Sequence, residues 1–157
     1  MKKSGLALTF CCFCAGAISA TFSSDELSDR ANSLNSNLPI RIDNNLTLNN
    51  VTYRQDRILE YNFQLNQINL FSEMAQKLNI SIDELKKLLI QEHGSLKNAL
   101  NKSVNDLAKD IIIHICYENN KELKDLIFDG VKLKYNYYDE SGLFISSSDF
   151  EKEMCIK

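Results

Sequence analysis

The chain has 157 residues, 44% hydrophobic and 25% charged, enough for one globular domain and too polar for a membrane bundle. Lys and Arg number 18 against 21 Asp and Glu, a net charge of −3. Removal of Lys2 and Lys3 with an N-terminal leader would leave 16 against 21, or −5. That sign excludes a protein that coats nucleic acid, which needs a basic excess.

Residues 1–20 read as a secretory signal peptide. Lys2 and Lys3 form the positive start, residues 5–14 an uncharged core, and Ala15-Gly16-Ala17 a cleavage motif of small residues. The core is too short to span a ~30 Å hydrocarbon layer, and no later apolar stretch is long enough either. Cys11 and Cys14 follow Phe and Cys12 follows Cys, whereas a lipid-bearing cysteine needs a small residue before it. The expected address is the periplasm or cell envelope of a Gram-negative bacterium, with peripheral membrane association left open.

Loss of the leader leaves two cysteines, Cys116 and Cys155, in an oxidising compartment. A disulfide between them is expected to close a loop of about 40 residues, contributing about 3–4 kcal/mol in the chain-entropy account. The alternative is a reactive thiol beside His114, but residues two apart on a helix point to different sides.

Residues 21–37 are polar and read as a flexible leader, followed by a single α+β domain over 38–157. Pro39 opens an extended segment over 40–43. Runs 46–53 and 58–65 alternate apolar with polar, and 54–57 between them suits a turn, which predicts an antiparallel hairpin. Apolar spacings of three and four predict a helix over 66–77. Ser81 and Glu84 have capping-box spacing and open a second helix to about residue 91. After the break at His93-Gly94, Ser95 is the expected cap of a third helix to Cys116, with Leu100, Val104, Leu107, Ile111 and Ile115 on one stripe. A short helix over 121–128 stops at Gly130. Residues 131–138 and 143–146 predict a second hairpin around Asp139–Gly142, and Ser148 a last short helix over 149–154. The order ββ-ααα-α-ββ-α implies a two-layer α+β fold: a four-stranded antiparallel sheet with helices on one face.

No residue pattern carries recognisable chemistry. His93 and His114 are the only histidines, and no HExxH or paired CxxC occurs, so no metal site is expected. His114 with Cys116 and Cys155 would make a three-ligand set only if the thiols were reduced. No GxSxG elbow is present, and five glycines in all cannot build a phosphate-cradling loop. The acidic pairs Asp139-Glu140 and Glu118-Glu122 read as a turn and a solvated helix face. Catalytic residues and cofactors are therefore expected to be absent, and with them enzymatic activity. The densest aromatic group is Tyr135, Tyr137 and Tyr138. Alternation places Tyr135 and Tyr137 on the core face and Tyr138 opposite, where Lys132, Lys134 and Tyr138 form a candidate partner surface. Sequons at Asn45, Asn50, Asn79 and Asn101 are what an asparagine-rich chain contains by chance.

The series Cys116-Tyr117, Leu123, Leu126-Ile127, Gly130, Tyr135-Asn-Tyr-Tyr-Asp139, Gly142, Ile145, Phe150 and Cys155 resembles the C-terminal half of small exported proteins of Gram-negative bacteria and their plasmids. Leu38-Pro39-Ile40 before Asp43 is similar to their N-terminal half. Within that group the chain looks most like the entry-exclusion proteins of small ColE1-type plasmids. The resemblance spans residues 38–155 and implies recognition of an envelope or conjugation protein, without catalysis and without nucleic-acid binding. The alternative is a periplasmic inhibitor, immunity protein or secretion accessory. A secreted enzyme using His114 with Asp110 or Glu118 is the remaining class.

Overall fold

A computed structural model describes residues 21–117 and 121–156. The signal segment 1–20 and Glu118 lie outside the described residues, as does the side chain of His114. The elements in order are α1 (Ser24–Asn35), β1 (Ile40–Arg41), β2 (Leu46–Arg54), β3 (Ile58–Leu65), α2 (Gln67–Leu78), α3 (Ile82–His93), α4 (Leu96–Tyr117), α5 (Lys121–Phe128), β4 (Lys132–Tyr138), β5 (Phe144–Phe150) and a 3-10 turn (Lys152–Cys155).

The α+β class holds, but the sheet differs from expectation. It has five strands in the order β1-β2-β3-β4-β5, and β3 runs parallel to β4. Ile58 pairs with Lys132 and Gln64 with Tyr138, and the Lys132 N–H donates to the Arg57 carbonyl at 3.0 Å. Alternation marks a strand but not its direction. The helical block α2–α5 between the two hairpins is long enough to return the chain to the end of the sheet where β3 began. The connection is thus a crossover, and the hairpins join side by side in a mixed sheet.

The segment read as a flexible leader is α1. Ser23 and Glu26 make a full capping box, with the Ser23 hydroxyl accepting from the Glu26 N–H and the Glu26 carboxylate accepting from the Ser23 N–H. Only Leu27 and Ala31, one turn apart, are buried in this helix. So narrow a contact stripe leaves the composition polar, which is why the segment looked unstructured. The helix lies along the free edge of β2. The Asn35 side chain donates to the Val51 carbonyl (2.6 Å) and accepts from the Val51 N–H (2.8 Å), standing in for a missing strand.

The expected last helix over 149–154 is also replaced. Ser148 pairs with Tyr135 inside β5, which runs to Phe150, and only a short 3-10 turn follows. The turn is tied to the end of α4 by the disulfide Cys116–Cys155, with 5.3 Å between the two Cα atoms. Gly94 (φ 77°) ends α3 in the left-handed conformation that a Cβ would disfavour, which accounts for the His93-Gly94 break.

The core is an aromatic and aliphatic layer between sheet and helices. Tyr135 lies 5.0 Å from Tyr61, 5.2 Å from Phe63 and 4.8 Å from Phe150 between ring centroids. Tyr137 stacks on Phe63 at 5.5 Å and is fully buried. Its hydroxyl has no hydrogen-bond partner among the described residues, and burial pushes its pKa up to about 12. Burial, reinforced by Tyr61 and Tyr137, raises Tyr135 as well.

Candidate functional site

Two surfaces stand out. The first is a groove of roughly 410 Å³ between α4 and the segment joining β1 to β2, closed at one end by α2. Its floor is Leu65, Leu100 and Val104, all buried. Its walls carry Ile42, 54% exposed, and Leu107, 38% exposed. The groove exists because the α4 stripe is wider than the sheet can cover. Leu100, Val104 and Ile115 are buried, while Leu107 and Ile111, on the same stripe, line the groove. Asn45 sits at the rim. Its side-chain N–H donates to Glu73 at 2.9 Å, its backbone carbonyl accepts from Asn66, and its Oδ1, buried, has no partner among the described residues. An apolar trough of this kind fits an apolar segment.

The second surface is the sheet face opposite the helices, where Lys132, Lys134 and Tyr138 all lie. The structure brings them onto one face but does not leave both lysines free. Lys132 is ion-paired to Glu151 and lies 3.7 Å from Asp149. The Glu151 carboxylate beside it, then Asp149, raises the Lys132 pKa. Lys134 lies 3.8 Å from Glu60, whose other oxygen is 2.9 Å from Arg54. Tyr138 meets Phe144 edge-on at 5.8 Å. These charges cancel within the sheet, so this face is neutral and not basic.

The remaining candidates do not assemble. The His93 imidazole is 3.5 Å from Glu92, and its backbone carbonyl accepts from Asn98, which makes it part of the α3–α4 junction. The Asp139 carboxylate accepts from the backbone N–H groups of Ser141 and Leu143 within its own turn; the Ser141 hydroxyl bond heads the causes that lower its pKa. Among the described residues, no group of three His, Cys, Asp or Glu could hold a metal ion. Cys116 and Cys155 are joined, which removes the reactive-thiol alternative in this state. The groove was missed in the sequence because its residues come from four elements. Leu100, Val104, Leu107 and Ile111 gave a signal only as ordinary members of a core stripe.

No protein-family model matches the chain, and no curated protein matches it in sequence. Its fold is found in solved structures. A protein of Pseudomonas aeruginosa described as secreted superposes with a TM-score of 0.56 at 12% identity, covering 84% of this chain and 91% of that one. The pilotin EpsS of the Vibrio vulnificus type 2 secretion system superposes with a TM-score of 0.54 at 14% identity, covering 84% and 90%. The chain therefore shares its architecture with small proteins of bacterial export. No helix among the described residues is long and apolar enough to cross a membrane.

Proposed function

We propose that this protein is an exported accessory of an envelope secretion apparatus, working without catalysis by holding an apolar segment of a partner protein in the α4 groove. The groove itself supports this reading: buried Leu65, Leu100 and Val104 lie beneath exposed Ile42 and Leu107. The likeness to a type 2 secretion pilotin and to a secreted protein supports the secretion-accessory reading. It lends nothing to plasmid entry exclusion, since neither neighbour is described as a conjugation protein.

The test is deletion of the gene in its own host, followed by quantitation of proteins released to the medium. Complementation with the wild-type chain should restore release, and Leu107→Asp, which places a charge in the groove wall, should not. Unchanged release after deletion, with altered uptake of a related plasmid, would overturn the reading in favour of exclusion.

A further inference from the structure

The open face of the sheet is built as cross-strand rows, and the central row is made of amides. Asn50 pairs with Asn62, Asn62 with Asn136, and Asn136 with Ser147. The side chains bond in one direction: Asn136 Nδ2 donates to Asn62 Oδ1 at 3.0 Å, and Asn62 Nδ2 donates to Asn50 Oδ1. Asparagine is disfavoured in strands, so three in register at the sheet centre break local propensity without adding to the core. Asn50 and Asn62 line a shallow concavity of roughly 420 Å³ with Asp139 and Gly142 of the turn at one end, while Asn136 is buried beside it and holds Asn62 in place.

The rows on either side set the chemistry. One side holds Thr52, Glu60, Lys134 and Asp149, the other Thr47, Gln64, Tyr138 and Phe144. Glu60 is ion-paired with Arg54 and Lys134, and the Asp139 carboxylate is held by donors of its own turn, so the concavity offers an anion no unpaired cationic side chain among the described residues. What remains is a strip of donors and acceptors at strand spacing of about 4.8 Å, with the Tyr138–Phe144 pair in the row beside it. The outer end of the ladder, Asn50 Nδ2, has no partner among the described residues.

From this juxtaposition we propose that the open face binds a neutral oligosaccharide across Asn50 and Asn62, with Asn136 orienting the Asn62 amide from behind and one pyranose ring against Tyr138. Each sugar hydroxyl both donates and accepts, matching an amide strip. The ring's C–H face suits an aromatic side chain, and uncharged rings cost the paired carboxylates and lysines nothing. This inference does not rest on the groove.

The experiment is an amide NMR titration of the signal-free chain with tetra-N-acetylchitotetraose and, separately, maltotetraose, up to about 10 mM. A sulfated oligosaccharide and oligolysine serve as charged probes. The side-chain amide signals of Asn50 and Asn62 should shift with a neutral probe, and Asn50→Ala and Tyr138→Ala should each weaken binding by roughly tenfold. Lys109→Ala, on the outer side of α4, should not change it. Response to chitotetraose alone would place the acetamido groups in the recognition; equal response to both would place it in the hydroxyls. No shift with either neutral probe, shifts confined to other parts of the chain, or an equal response to a charged probe would overturn the proposal.

Discussion

At the scale of single residues, two buried polar groups behave in opposite ways. The Asp129 side chain, 7% exposed, accepts from the Phe22 N–H at 2.7 Å and is paired with Arg57, whose guanidinium also donates to the carbonyls of Phe22 and Asp129. Two segments more than a hundred residues apart thereby meet at one carboxylate. Asp129→Ala should cost about 2–3 kcal/mol in denaturant unfolding, below a fully buried pair because Arg57 is partly exposed. The Tyr137 hydroxyl, by contrast, is buried without a partner among the described residues. Tyr137→Phe should be neutral or stabilise by up to about 1 kcal/mol, since it removes a desolvated group and keeps the stack on Phe63. The pH dependence has a definite sign. A phenol pushed up to about 12 is held neutral by the fold, so its contribution is complete below the unfolded value near 10 and is lost as pH rises from there. Tyr137→Phe should therefore gain on wild type most clearly in alkaline melts.

At the scale of elements, α1 and the 3-10 turn are the two that the sheet needs at its margins. α1 covers the free edge of β2 through Leu27, Ala31 and the Asn35 side chain. Asn35→Ala should cost about 1–2 kcal/mol, because it strands both backbone groups of Val51. Deletion of α1 should expose the strand edge and promote aggregation, readable by light scattering. The 3-10 turn is held to α4 by Cys116–Cys155, 39 residues apart. Cys116→Ser and Cys155→Ser should each destabilise by about 3 kcal/mol, with the double variant no worse than either. Additive losses would mean separate roles. The differences from expectation are of one kind. The α2–α4 periodicity is strong because apolar residues recur at three and four along each helix, exposed ones such as Ile68, Leu88 and Ile90 included, so those helices were legible. α1 has few apolar residues and carries its capping box in a polar run, so Ser23 and Glu26 were readable individually but outweighed by composition. Ser146-Ser147-Ser148 looks like a helix start, yet the small residues let β5 lie beside Tyr135 and Tyr137.

At the scale of the whole molecule, the two faces of the sheet have separate duties. The helical side buries the aromatic layer and leaves the α4 groove where α4 outruns the strands. The open side keeps its charges paired and its amides in register. Alternation in β4 placed Lys132, Lys134 and Tyr138 on the open face, which is where they lie, but pairing partners from β3 and β5 decide their state. Sequence order alone could not supply those partners, since β3 and β4 meet only through a crossover of more than sixty residues. The groove is invisible along the chain for the same reason.

The α4 groove is proposed to hold a partner. Photo-crosslinking from position 107 in living cells tests it most directly, with position 109, exposed on the other side of α4, as the reference. An adduct with a component of the secretion apparatus from 107, weak or absent from 109, is the predicted result. Equal adducts from both positions, or an adduct from 107 with a conjugation protein, would contradict it.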